Sequence, residues 1–143
     1  MTSWLGVVSA DHVKRALAEE VCQVCHGKAG PLMRMQQGDK FMYYSPRTSR
    51  AGGSPLKAFT AAGIIADDSV YQFEQTSTFK PFRRRVAWDP NFCEVPLADV
   101  AASLELTADK NWGYSLGRGL IPLSDSDFNK IFTSGKGIQH VWS

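Results

Sequence analysis

The chain has 143 residues, of which 43% are hydrophobic and 21% charged, with a net charge of +2. That apolar content suits one ordinary core, so a single domain over residues 1–143 is expected, and the charge is far below that of a dedicated nucleic-acid coat protein. "MTSWLGVVSADH" lacks a basic segment followed by an apolar run, and no stretch approaches the roughly 18 apolar residues of a membrane span. The expectation is a cytoplasmic protein without membrane association, a monomer rather than an oligomer.

"WLGVVS" (4–9) reads as a short apolar strand, with a Gly where another backbone comes close. Ser9 then reads as the N-cap of a helix "ADHVKRALAEE", with Val13, Ala16 and Leu17 on one face. "VCQVCH" (21–26) is β-prone, "LMRM" one helical turn, and "KFMYYS" (40–45) a strand. "PRTSRAGGSP" (46–55) reads as an exposed loop carrying two arginines. "LKAFTAAGIIA" (56–66) and "VYQFEQT" (70–76) follow as strands. "FKPFRRRVAW" (79–88) is extended but interrupted by Pro81, which places it at a sheet edge. Pro96 opens a helix "LADVAASLEL". "NWGYSLGRGLIPLS" (111–124) is too rich in glycine for a helix and reads as loop, strand, loop. A last helix, "DFNKIFTSG", begins at the Ser124/Asp127 cap pair and stops at Gly135. Short strands in succession without helical crossovers suggest a mixed or antiparallel sheet curled into a barrel with helices outside; the class is α+β.

Cys22-Gln23-Val24-Cys25-His26 matches the CxxCH pattern of haem attachment. On a strand, however, residues three apart point to opposite faces, and an odd number of cysteines does not make a disulfide framework. A zinc set of Cys22, Cys25, His26 and Cys93 lacks a matching second pair. The expectation is therefore no haem, no metal and no other cofactor, with the cysteines packing as small hydrophobes. No Gly-rich phosphate loop appears, and no acidic pair stands out for catalysis.

What remains is a concentration of aromatic and basic side chains near loops. Tyr43, Tyr44 and Ser45 end a strand; Phe79, Phe82 and Arg83-Arg84-Arg85 occupy the Pro-interrupted segment; Trp112 and Tyr114 lie among glycines. Aromatic faces suit a nucleobase and arginines suit phosphates.

Taken in order, "WLGVVS", "QVCHGKAGPLMRMQQGDKFMYYSP", "LKAFTAAGII", "YQFE", "FKPFRRRV" and "NWGYSLGRGL" resemble the EVE domain family in its stand-alone prokaryotic branch, from Trp4 to about Phe132. The resemblance implies a PUA-like mixed β-barrel with flanking helices. It also implies a non-catalytic binder of a modified base in DNA or RNA, chiefly 5-modified cytosine in DNA. It makes CxxCH an accident, since "CHGK" looks like the family's H-G-K segment, with His26 and Lys28 near the pocket mouth. Carried over motif by motif, the implied ligand-binding residues are Ser9, His26, Lys28, Tyr43, Ser45, Pro46, Phe82, Arg83 and Trp112. Arg47 and Arg84 are assigned to phosphates. A general RNA-binding PUA-like module, and a small-molecule binder or enzyme using the same pocket, stay open as alternatives.

Overall fold

The computed structural model describes residues 2–24 and 27–142, with side chains in the last helix described as far as Gly135. Its strands are β1 (Ser3–Val7), β2 (Val21–Cys22), β3 (Lys40–Arg47), β4 (Pro55–Ile65), β5 (Tyr71–Gln72), β6 (Phe82–Trp88), β7 (Val95–Pro96) and β8 (Leu120–Leu123). The sheet runs β2-β6-β4-β3-β1-β8, with β5 added to β6 and β7 to β4. β1 and β3 pair in parallel and the other pairs are antiparallel. The result is a mixed α+β fold around a curled half-barrel, its path ending at β2 and β8.

Helices α1 (Ala10–Glu19) and α2 (Ala29–Met33) precede β3. After β7 come α3 (Leu97–Val100), a 3-10 turn (101–103), α4 (Glu105–Ala108), α5 (Trp112–Ser115) and a 3-10 turn (116–118). The chain ends in α6 (Asp125–Trp142). Among the described residues, no helix is long and apolar enough to cross a membrane.

Both faces of the central strands are covered, so they read as apolar runs rather than as alternation. Trp4, Phe41 and Tyr43 join one core with Val13 and Ala16 of α1 and Leu32 of α2. Their strand neighbours Leu5, Met42 and Tyr44 join a second core with Val100, Phe128 and Ile131. Gly6 lies under the rings of Phe41 and Tyr43; a Cβ there would stand 2.7 Å from the Phe41 ring. A ring, not a backbone, makes the close approach foreseen at that glycine.

Several boundaries differ from the sequence expectations. The strand expected over 21–26 ends at Cys22, and the one expected over 70–76 shrinks to Tyr71–Gln72. β3 continues through Pro46 to Arg47, shortening the expected 46–55 loop. β6 is not an edge: it lies between β2 and β4, because Pro81 precedes the strand and removes no ladder donor. The helix expected after Pro96 breaks into three short pieces, and the glycine-rich 112–118 stretch is helical, contrary to the loop expected there. The Ser124/Asp127 pair caps α6, the Asp127 amide donating to Ser124 Oγ at 3.0 Å. Gly135, expected to stop that helix, sits within it; a Cβ there would meet the Phe92 ring at 2.4 Å, so the glycine serves close packing.

Candidate nucleic-acid interface

The ends of β1 and β3 open into a cleft. Val7 donates its amide to Gly119 O at 2.9 Å, and Val8 donates to Tyr44 O at 3.2 Å, so the chain leaving β1 is held between the 116–119 turn and β3. The first turn of α1 forms one wall with Ser9 and His12, and the segment after β2 forms the next with Gln23, Val24 and Lys28. Pro46, Arg47, Ser49 and Arg50 close the side of β3, Gln75 and Phe79 reach in from the β5–β6 hairpin, and Arg118 lies in the last wall. The cavity measures about 710 Å³, within the roughly 300–1,000 Å³ usual for small-ligand sites.

Its charge is one-sided. Lys28, Arg47, Arg50 and Arg118 line it, and among the described lining residues none is Asp or Glu. Protein walls of low polarisability focus such a field, so the cleft favours anions despite a net charge of only +2. Val7, Val8, Val24, Pro31, Pro46 and Phe79 supply an apolar surface beside these cations.

Local chemistry explains several positions. Gly27 has φ +81°, and a Cβ there would lie 2.5 Å from Pro81 Cβ. The chain at Gly27 thus turns tightly against Pro81 and presents Lys28, which is exposed, at the cleft. Ser9 occupies the N-cap position of α1, but its hydroxyl bonds the Asp11 carboxylate instead of a helix amide. That bond helps hold the Asp11 carboxyl below the usual carboxylate range. His12 is half-buried, its ring edge-on to Tyr43 at 6.2 Å. Burial, and then the nearby Arg15, hold its pKa below the ordinary value of 6.5, so it is neutral at pH 7.

The structure sorts the sequence-derived residues. Ser9, Lys28, Pro46 and Arg47 line the cleft. His26 lies outside the described residues. The others lie elsewhere. Tyr43 is fully buried: its ring stacks on Trp88 at 5.4 Å, and its hydroxyl is bonded to the Gln23 backbone. Ser45 is also fully buried, bonded to Thr60 Oγ1 at 2.9 Å. Phe82 packs against the Tyr43 core and is not part of the lining.

Arg83 and Arg84, expected at the ligand and the phosphates, are each 2% exposed, and neither lines the cleft. Arg83 donates to Gln23, Glu19 and Gln75. Arg84 donates to the Leu32 and Met35 carbonyls and pairs with Asp67 Oδ1 at 2.6 Å, stitching the end of α2 to the 67–68 turn. Trp112 borders a separate cavity of about 230 Å³ with Glu105, Asp109 and Asp127.

Cys22 is enclosed and its thiol is pushed up to about 12 by burial, so it is a core residue without nucleophilic character. Cys25 lies outside the described residues. Sequence reasoning missed Val7, Val8, His12, Gln23, Gln75 and Arg118. For His12 the signal was its place in the first turn of the helix that Ser9 precedes. Gln23 and Arg118 lie within two of the segments that carry the resemblance, whereas Gln75 lies in none of them.

Comparison with known proteins agrees with this architecture. The EVE domain family profile matches residues 2–134. A UPF0310 protein of Streptococcus mutans is 55% identical over 133 residues, covering 93% of this chain and 96% of the relative. A UPF0310 protein of Renibacterium salmoninarum is 46% identical over 128 residues, covering 90% and 91%. Among solved structures, a protein from Rhodopseudomonas palustris superposes with a TM-score of 0.60 at 19% identity, over 94% of this chain and 93% of that one. A protein from Leishmania major does so at 0.62 and 11%, over 97% of each chain. The ordered motifs, the half-barrel and the profile match agree: the chain belongs to the EVE domain family.

Proposed function

We propose that this protein is a non-catalytic nucleic-acid-binding module whose cleft receives one base, with 5-modified cytosine in DNA as the preferred base. One observation carries the reading: the large cleft combines an apolar wall and the Phe79 ring with four cations and, among its described lining residues, no carboxylate. Phosphates on either side of a base need the cations, and the base needs the apolar surface and a ring to stack on. Phe79 is 36% exposed, which leaves its face accessible.

The choice of a 5-modified cytosine rests on the family resemblance. Val7, Val8 and Val24 add a physical reason, because each methyl group buried against such a wall contributes about 0.8 kcal/mol. RNA would meet the same cations, so the test includes it. Short single strands of DNA and RNA, each with one central cytosine, 5-methylcytosine or 5-hydroxymethylcytosine, are titrated at low and high salt. The expected result is tightest binding to a modified DNA strand, with a preference that survives added salt while phosphate contacts fade. Equal affinity for every base would leave only a general backbone binder. Tight binding of the free nucleoside alone would move the site to the small-molecule class.

A further inference from the structure

Arg83 is the most enclosed cation near the cleft, and its partners are unusual. At 2% exposure, it donates Nε to Gln23 Oε1, Nη1 to Glu19 Oε1 at 2.8 Å and Nη2 to Gln75 Oε1 at 3.3 Å. The Phe73 ring covers it, with Cζ 4.1 Å from the centroid. Glu19 neutralises the charge, while the two glutamines come from two different segments that line the cleft, the one after β2 and the β5–β6 hairpin.

A guanidinium has N–H donors and no acceptor, so any amide that meets it must turn its oxygen towards it. For Gln23 and Gln75 the orientation of the amide is therefore chemically determined. The Nε2–H2 end of each planar group points away from Arg83, and both residues line the cleft. Backbone bonds hold them in place: Gln23 N and O both bond the Tyr43 hydroxyl, and Gln75 N donates to Phe79 O at 3.1 Å.

We infer that Arg83 is a positioning residue that sets Gln23 and Gln75 as paired donors, so that the cleft selects a base edge bearing two adjacent acceptors. The inference rests on the base-in-cleft reading above and names the chemistry by which that base is read. O2 and N3 of cytosine form such an edge; the Watson–Crick edge of adenine offers one acceptor beside a donor. A site committed to donors leaves them unpaired against the wrong edge, and an unpaired buried donor is what generates discrimination.

The test uses Gln23→Glu. This change keeps an oxygen on Arg83, preserves the shape of the side chain and replaces the cleft-side donor by an acceptor. The probes are one single-stranded oligonucleotide with a central cytosine, adenine or abasic site. Wild type is expected to bind cytosine over adenine and over the abasic strand. Gln23→Glu should lose about tenfold on the cytosine strand. It should lose about threefold or less on the abasic strand, which reports the added negative charge alone. Its thermal midpoint should not fall, since the Arg83 contact becomes an ion pair. Gln75→Glu, on the surface hairpin, repeats the experiment should the buried change impair folding. A cytosine preference retained in both variants, or a wild-type preference for adenine, overturns this inference alone. A wild type that does not distinguish the base strands from the abasic strand overturns the base-in-cleft reading and this inference with it.

Discussion

The Tyr43 hydroxyl clamps the backbone of Gln23: it accepts from Gln23 N at 3.0 Å and donates to Gln23 O at 2.9 Å. Tyr43 is fully buried, so no water can replace it. Tyr43→Phe leaves both backbone groups unsatisfied and should cost about 1–3 kcal/mol of folding stability, read as a lowered urea midpoint. Binding should weaken with it, because the segment that carries Gln23 into the cleft loses its anchor.

Arg84→Ala should act on folding and not on phosphate binding. It removes the donor to the Leu32 and Met35 carbonyls and the partner of Asp67. Breaking a buried pair of this kind costs about 3–5 kcal/mol. Denaturant unfolding measures the loss. A fully folded Arg84→Ala protein with a reduced salt slope would return Arg84 to the phosphate contacts.

Lys28 and Arg47 are exposed on the cleft lining and carry the electrostatic expectation. Lys28→Ala and Arg47→Ala should each weaken oligonucleotide binding for every base alike, lowering the slope of log affinity against log salt by about one unit. Fluorescence anisotropy across a salt series reads this directly.

Trp112→Ala and Phe79→Ala distinguish the two aromatic candidates. Phe79 lines the main cleft, whereas Trp112 borders the smaller cavity near α4. Phe79→Ala should cost about 1–3 kcal/mol of binding to a base-bearing strand. Trp112→Ala should change that affinity by about twofold or less. The reverse pattern would exchange their roles.

His12 gives the folded protein a pH dependence of defined sign. Burial is the main cause of its lowered pKa, with Arg15 next, Arg83 on the same side and Asp11 and Glu19 opposing; the Tyr43 ring packs against it. Below 6.5 the unfolded chain takes up a proton before the folded one does. Stability therefore falls as pH drops from 6.5 towards the folded pKa, and His12→Gln should flatten that decline. Urea midpoints between about pH 7 and 5 test it, above the range in which Asp11 and Asp39 titrate.

Much of the fold was legible in sequence. The spacing of Val13 and Ala16 predicts α1, and the apolar runs predict β1, β3 and β4 within a few residues, because period and turn chemistry are local properties. The ordered motifs placed the family, and the H-G-K segment and the Y-Y-S-P strand end with the following arginine lead to two lining residues of the cleft, Lys28 and Arg47. Burial was not legible, since it depends on what covers each face of a strand. Tyr43 and Tyr44 point to opposite faces of β3, yet both are enclosed, because α1 lies over one face and α6 over the other. The run Arg83-Arg84-Arg85 obeys the same logic: alternation sends Arg83 towards Glu19 and Arg84 towards Asp67, and Arg85 alone is left exposed. Composition offers three equal cations there. Only the packing of α1, α2 and the β5–β6 hairpin around β6 decides which are buried, because an arginine side chain accepts enclosure where carboxylates and carbonyls from distant segments meet all its donors.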